Sequence, residues 1–212
     1  MLYLANPCGP AVRTAMQEGL LGYIDTPAQG NKRMAGVTWC ADNGCFGKGY
    51  PGDEKWLAWL EANAHAAADC LFATAPDVVG NAAATLARSR PFLPLIRALG
   101  YPAALVAQDG LEDMEVPWDE FDVLFIGGST EWKESAAARE LTREAKAHGK
   151  WVHVGRVNSE RRFRLAGAAY PFGLSGDSCD GTFLTFGPEK NLPRLMAWLR
   201  TENQLSLFTE AA

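Results

Sequence analysis

The chain alternates eight short apolar runs with longer stretches of helical periodicity, from residue 2 to about residue 200. Short apolar runs that alternate with amphipathic helices are typical of a parallel α/β fold. Eight strands is the number that closes a (β/α)8 barrel, so we expect a compact single-domain TIM barrel. An open, doubly wound parallel sheet is the alternative. The strand candidates are residues 2–5, 22–25, 37–41, 70–75, 103–107, 123–126, 151–154 and 171–174.

Helical periodicity fills most of the intervals between these runs. Pro91 and Pro94 are expected to break or restart the helical pattern between strands four and five, and Asn158 or Ser159 can cap the helix that follows strand seven. The predicted helices are residues 53–68, 82–99, 134–148, 160–168 and 188–200. We therefore predict one barrel domain over residues 1–200 and a flexible tail over residues 201–212.

Composition excludes several classes of protein. No apolar stretch approaches the roughly 20 residues that span a bilayer, and the N-terminus lacks the pattern of a signal peptide. The five cysteines are scattered without a C-x-x-C pair, which favours reduced thiols in a cytoplasmic protein with no membrane contact. No spacing typical of zinc ligands is present, and neither a metal nor a cofactor is expected.

The net charge of −5 argues against a broad nucleic-acid footprint but allows a local one. Four arginines, Arg156, Arg161, Arg162 and Arg164, lie within nine positions. They form either a phosphate-binding patch or a solvated helix face.

The segment G-D-S-C-D-G-T at residues 176–182 places Asp177 and Asp180 three residues apart between glycines. Neighbouring carboxylates tend to hold different pKa values, so one can be ionised while the other keeps its proton. A turn with two solvated aspartates is the simpler interpretation of this segment taken alone.

Polar residues also follow the other strand candidates. The ends of strands three to six are followed by D-N-G-C-F at 42–46, Asp77, Q-D-G at 108–110 and G-G-S-T-E at 127–131. Strand seven and the residues after it give His153, Arg156 and Asn158. Chemistry in a β/α barrel lies at these carboxyl ends. Carboxylates and amides there would suit a planar, nitrogen-rich ligand such as a purine. No phosphate-binding glycine motif is present.

This ordered set resembles the tRNA-guanine transglycosylase superfamily, and in particular its short branch of 7-deazaguanine DNA transglycosylases from phage and bacterial DNA-modification systems. The resemblance runs from about residue 36 to residue 190. D-N-G-C-F resembles the family's D-S-G-G-F, and A-P-D at 75–77 lies where the family keeps a base-recognising aspartate. V-A-Q-D-G at 106–110 resembles the V-Q-G segment, and F-I-G-G at 125–128 resembles the Gly-Gly segment. D-S-C-D at 177–180 resembles the D-x-F-D segment. The family's cysteine-rich zinc site is missing, which argues against tRNA as the substrate.

The resemblance implies a DNA guanine transglycosylase that replaces guanine by a 7-deazaguanine base. Asp180 would be the nucleophile and Asp42 the general acid and base. The base-binding residues would be Asn43, Phe46, Asp77, Gln108, Gly127 and Gly128, with Asp177 in a supporting place. Lys133, Arg156, Arg161 and Arg162 would hold flanking phosphates of the DNA. A nucleoside or DNA N-glycosidase that hydrolyses the same bond is an alternative with nearly the same residues.

The tail contains Gln204, Leu205, Ser206, Leu207 and Phe208. Its apolar side chains could dock in a partner's groove. The pentapeptide also resembles the bacterial sliding-clamp-binding motif Q-L-[SD]-L-F, which implies tethering to replicating DNA. A tail folded back on the barrel, and a non-catalytic accessory that only binds the clamp, remain as alternatives.

Overall fold

The computed structural model describes residues 1–30, 32–47, 49–170 and 172–209, the last four of these by backbone alone. Eight parallel strands form a closed barrel in which each strand pairs with the next and the eighth pairs with the first. The predicted (β/α)8 fold is confirmed, and closure excludes the open doubly wound sheet. The strands are β1 (Leu2–Ala5), β2 (Gly22–Asp25), β3 (Trp39–Ala41), β4 (Cys70–Thr74), β5 (Ala103–Ala107), β6 (Val123–Ile126), β7 (Trp151–Val154) and β8 (Ser178–Asp180).

The helices lie outside the barrel. Ser135 and Ser159 cap two of them, because their hydroxyl oxygens accept hydrogen bonds from the backbone N–H groups of Ala138 and Arg162. The expected break near the two prolines is confirmed, since two helices lie between β4 and β5. The α-helices are α1 (Pro10–Gln17), α2 (Asp53–Ala62), α3 (Ala82–Ser89), α4 (Leu93–Ala98), α5 (Thr130–Lys133), α6 (Ala136–Ala147), α7 (Glu160–Ala166) and α8 (Pro188–Thr209).

Side chains alternate between the barrel interior and the layer under the helices, as strand geometry requires. Tyr3 and Ala5 pack outward, whereas Leu4 between them packs inward. The inner layer consists of Leu4, Ile24, Cys40, Phe72, Ala104, Val106, Val123 and Phe125. Continuing this alternation places the side chains of Asp42 and Asp180 inward, at the carboxyl end of the barrel.

The predicted eighth strand at 171–174 is wrong. Pro171 lies outside the described residues, and Leu174 donates its N–H to Leu165 O at the end of α7, at 2.8 Å. The true strand begins four residues later, where Ser178 pairs with Leu2 of β1. Asp180 is therefore the last residue of β8 rather than part of a loop that follows it.

Helix α8 is longer than the predicted residues 188–200, because its backbone continues to Thr209. The boundary predicted between barrel and tail at residue 200 falls inside this helix. The structure describes the backbone of Ser206, Leu207 and Phe208 as part of this helix, but it does not describe their side chains. In the described chain, no helix has the length and apolarity needed to cross a membrane.

Candidate active site

Two carboxyl groups point into the carboxyl end of the barrel. They are carried by two strands that are three positions apart in the closed strand order. Asp42 follows β3 directly, and Asp180 ends β8. The negative charge of Asp180 contributes to raising the pKa of Asp42, so the two groups lie within electrostatic range of each other. The carboxyl end of the barrel thus brings two acidic groups together.

A histidine inside the barrel forms a hydrogen bond with Asp180. His153 is completely buried, and its Nε2 lies 3.0 Å from Asp180 Oδ1. Its Nδ1 lies 2.8 Å from Ser178 Oγ. Sequence reasoning placed His153 at a strand end but gave it no part in the site. The alternation V-H-V over residues 152–154 could have indicated its inward position, since Val152 and Val154 both pack outward.

Asp42 has a strongly shifted acidity. Burial, together with the smaller contributions of the charges on Asp180 and Asp77, raises the pKa of its carboxyl to about 7. The N–H of Gly44 donates to Asp42 Oδ1 at 3.1 Å and partly opposes this rise in pKa. Near neutral pH this carboxyl can therefore either give or take a proton.

The raised pKa of Asp42 predicts that Asp42→Asn stabilises the protein at high pH. Between about pH 4 and pH 7 the folded chain keeps a proton that the unfolded chain releases, so stability falls as pH rises through this window. Each pKa unit corresponds to about 1.4 kcal/mol, and partial solvent contact of the carboxyl reduces the total. Thermal unfolding at pH 8 should show a gain of about 1–2 kcal/mol in the variant, with almost none at pH 4.

A matched control is Asp113→Asn, which changes the net charge equally at an exposed position. Its unfolding free energy should differ little from wild type at either pH. Equal effects of the two variants at pH 8 would show that net charge, rather than the burial of Asp42, causes the stabilisation.

Asp77 and Gln108 form a hydrogen-bonded pair at the ends of β4 and β5. Gln108 Nε2 donates to Asp77 Oδ2 at 2.8 Å, while the N–H of Gly80 donates to Gln108 Oε1 at 2.9 Å. Both side chains are buried. Burial raises the pKa of Asp77 even though Asn43, Cys45 and Gln108 all donate hydrogen bonds to it. The pair presents a carboxylate and an amide in fixed orientations.

Asn43 departs from its predicted base-binding role. Its side chain is buried, and Nδ2 donates to Ala75 O at 2.8 Å and to Asp77 Oδ1 at 3.2 Å. Its Oδ1 accepts from the N–H of Cys45 at 2.7 Å. Because both amide hydrogens donate hydrogen bonds within the protein, Asn43 stabilises the turn after β3 and fixes the position of the Asp77 side chain.

Gly127 and Gly128 are required by close packing. A Cβ atom on Gly127 would lie 2.6 Å from Val106 Cγ1, and one on Gly128 would lie 2.2 Å from the Trp132 ring. Both backbone N–H groups donate to Ala107 O at 3.0 Å. Their carbonyl oxygens accept from Arg156 Nη2, with 2.6 Å to Gly127 O. The carbonyls, rather than the N–H groups, are the atoms these glycines present.

Arg156 lies two residues after β7, at the same end of the barrel as the carboxyl groups. Its backbone has a left-handed φ of 62°, an uncommon conformation for a residue with a side chain. The guanidinium stacks on the ring of Phe46 at 4.3 Å, and Phe46 is 63% exposed. Burial and the neighbouring charge of Arg162 lower the pKa of Arg156. Among the described residues, neither Arg156 nor Arg162 forms an ion pair with a carboxylate.

Three other predicted contacts need correction or qualification. Lys133 is buried and donates to Gly155 O at 2.7 Å, and burial lowers its pKa to about 8, so the prediction that it holds a phosphate is wrong. Asp177 lies at the opposite, amino end of β8, where it pairs with Lys146, so it cannot touch a substrate in this pocket. Arg161 is exposed but pairs with Glu134, which offsets its charge.

Fold and geometry together define a (β/α)8 barrel with a cluster of carboxyl groups at the carboxyl ends of its strands. No family model matches the chain, and no curated protein does. One similar solved structure is the EAL domain of FimX from Xanthomonas citri in complex with c-di-GMP, at 13% identity and a TM-score of 0.44. The match covers 82% of this chain and 65% of that one. A similarity at this level does not extend to function.

Proposed function

We propose that the protein is a DNA guanine transglycosylase that exchanges guanine for a 7-deazaguanine base. The observation that supports this most strongly is that Asp180 and Asp42 lie within electrostatic range of each other at the carboxyl end of the barrel. A histidine holds one oxygen of Asp180, whereas burial raises the pKa of Asp42 to about 7. One carboxylate is thus placed to attack while the other is placed to transfer a proton.

The first half-reaction removes guanine from the DNA. Asp180 attacks C1′ of the deoxyguanosine, the C1′–N9 bond breaks, and its electron pair passes to the departing base. Protonated Asp42 gives its proton to that base. The product is a glycosyl ester on Asp180, so one difficult displacement is divided into two easier steps.

The second half-reaction inserts the new base. Asp42, now ionised, accepts the N9 proton of the incoming 7-deazaguanine. N9 then attacks C1′, the ester bond breaks, and its electron pair returns to Asp180. Both carboxyl groups regain their starting states without a metal or cofactor taking part in either step.

Asp77 and Gln108 would recognise the base edge. Guanine presents N–H donors beside a carbonyl acceptor, which match the carboxylate of Asp77 and the amide N–H of Gln108. The exposed ring of Phe46 could stack on the base once the guanidinium of Arg156 moves aside. The same movement would free the carbonyls of Gly127 and Gly128 for donors on the base.

The carboxyl end of the barrel suits a nucleotide that has left the duplex, at a cost of about a few kcal/mol. Arg156 and Arg162 lie together there without carboxylate partners in the described chain. Phe186, in the loop after β8, is 77% exposed at the same end. Unpaired guanidinium groups near exposed aromatic rings are suited to phosphates and unstacked bases.

Arg162→Ala should weaken binding of a single-stranded oligonucleotide and reduce the salt dependence of its Kd. Loss of one phosphate contact is expected to lower the slope of log K against log salt by about 0.7. Fluorescence anisotropy at several salt concentrations measures this slope. Arg164→Ala is the matched control, because Arg164 lies on the same helix but pairs with Glu160. Equal slopes for the two variants would show that Arg162 does not contact the phosphates of the oligonucleotide.

Base exchange itself tests the proposal. The full chain is incubated with a guanine-containing oligonucleotide and a 7-deazaguanine base, and the DNA is digested and analysed by mass spectrometry. Incorporation of the deazaguanine supports the proposal. Release of guanine without incorporation would indicate an N-glycosidase, and unchanged DNA with a series of 7-deazaguanine bases would refute both.

We also propose that the end of α8 binds the sliding clamp. Leu205 is 39% exposed, and the segment 204–208 carries the full Q-L-S-L-F pattern. Truncation after Asn203 should weaken clamp binding at least about tenfold, whereas truncation after Phe208 should preserve it. Surface plasmon resonance with immobilised clamp measures both. Equal affinities would exclude the segment, and clamp binding without any base exchange would favour a non-catalytic accessory.

A further inference from the structure

His153 is a polar side chain inside an apolar layer. It is completely buried, and its ring lies between Phe72 and Phe125, with centroid distances of 4.9 Å and 4.5 Å. A buried polar group is costly unless it is hydrogen-bonded. Both ring nitrogens have partners, Ser178 Oγ at 2.8 Å and Asp180 Oδ1 at 3.0 Å. The imidazole is therefore a bridge between two residues of β8.

The contacts of Ser178 are consistent with one direction of hydrogen bonding through His153 to Asp180. The indole N–H of Trp151 can only donate, and it lies 2.8 Å from Ser178 Oγ. Having accepted this bond, the Ser178 hydroxyl can donate its own hydrogen to Nδ1 of His153. A neutral ring whose Nδ1 accepts carries its hydrogen on Nε2, which then donates to Asp180. The opposite tautomer would turn a lone pair of His153 towards the carboxylate.

The contacts of Asp180 are unequal. Oδ1 faces His153 Nε2 and also the backbone N–H of Arg156, at 3.4 Å. For Oδ2, the described part of the chain provides no hydrogen-bond donor. A hydrogen bond from a neutral ring orients a carboxylate without pairing its charge, so the free oxygen keeps its nucleophilic character.

We propose that His153 is a positioning residue that holds Asp180 by Oδ1 and reserves Oδ2 for attack on C1′. The chain Trp151–Ser178–His153–Asp180 sets the tautomer that makes this possible. His153 and Ser178 are register partners on adjacent strands β7 and β8, so the barrel frame itself fixes their geometry. This inference rests on the proposed function for the identity of the attacked atom. The hydrogen-bond chain is independent of the proposed function.

The hydrogen-bond chain is tested first, by a measurement that needs no substrate. Two-bond ¹H–¹⁵N NMR of the full chain with labelled histidine distinguishes the two neutral tautomers and the imidazolium, and His153→Gln assigns the signal. The expected result is the Nε2–H form at neutral pH, with loss of that preference in Ser178→Ala. An Nδ1–H form, an imidazolium, or an unchanged signal in Ser178→Ala would overturn the proposal.

The positioning role is tested by kinetics. His153→Phe keeps an aromatic ring but removes the donor, so single-turnover formation of the Asp180 adduct should slow by between about tenfold and a hundredfold, with the KM for the oligonucleotide nearly unchanged. His153→Gln, which supplies an amide N–H, should recover part of the rate. His148→Phe is the matched control, because His148 stacks on Trp118 outside the site.

The outcomes separate this inference from the proposed function. A wild-type protein that forms no adduct refutes the transglycosylase, and the NMR result then decides the hydrogen-bond chain alone. A wild-type protein that reacts, together with His153→Phe reacting at the same rate per folded molecule, overturns the positioning role. Thermal unfolding of each variant measures the folded fraction.

Discussion

Asp180→Asn is expected to abolish both base exchange and the covalent DNA adduct, with a loss of at least about a thousandfold in rate. The neutral amide has a similar shape and can occupy the same place beside His153. It has no charged oxygen to form the glycosyl ester, so the first half-reaction stops before C1′–N9 cleavage. Denaturing electrophoresis of the protein with a labelled oligonucleotide measures the adduct, and nucleoside mass spectrometry measures the exchange.

The matched control is Asp177→Asn, three residues earlier. It makes the same chemical change at the amino end of β8, where Asp177 pairs with Lys146. Loss of this ion pair should reduce the stability of the protein slightly and leave the exchange rate per folded molecule unchanged. If Asp177→Asn stopped exchange while Asp180→Asn did not, the nucleophile would be misassigned and the orientation of β8 in the mechanism would be wrong.

Most of the barrel could be predicted because its strands are apolar on both faces. Strands such as β5 (Ala103–Ala107) and β6 (Val123–Ile126) contact the interior on one side and helices on the other, so they form continuous apolar runs. The sequence interval between strands then identified the helices. Closure followed only from the number of strands, since no local pattern records that β8 pairs with β1.

β8 was missed for a reason that concerns function. Its inward residues are Ser178 and Asp180, and only Cys179 packs outward into the apolar layer. A strand that carries the hydrogen-bonding groups of a site has no apolar run to reveal it. Leu174, the last residue of the apolar stretch at 172–174, forms a hydrogen bond with the end of α7 instead. The wrong strand boundary then placed Asp177 in the substrate pocket.

Sequence order located the site residues better than it located their contacts. Asp42, Asp77, Gln108 and Asp180 lie at the carboxyl end because each follows or ends a strand. Whether a side chain is free or already bonded depends on residues far along the chain. Asn43 is bonded to Ala75 and Asp77, and Lys133 to Gly155, so neither is available to a ligand.

The pH dependence of adduct formation should identify Asp42 as the general acid. Burial raises its pKa to about 7, and the first half-reaction needs its protonated form. The single-turnover rate should therefore be greatest on the acid side of pH 7 and fall by about tenfold per pH unit above it. The second half-reaction adds no opposing requirement, because the first leaves Asp42 ionised. Rapid-quench measurements between pH 6 and pH 9 give this profile.

Asp42→Asn should flatten that profile between pH 7 and pH 9 and lower the rate at pH 6 by about 10²–10⁴-fold. Asp25→Asn is the control, because burial also raises the pKa of Asp25, yet its carboxyl faces outward to Tyr23 and Arg33. The control should keep the wild-type profile. A descending limb that persists in Asp42→Asn would assign the proton to another group, and a limb lost in Asp25→Asn would show that the profile reports folding rather than proton transfer to guanine.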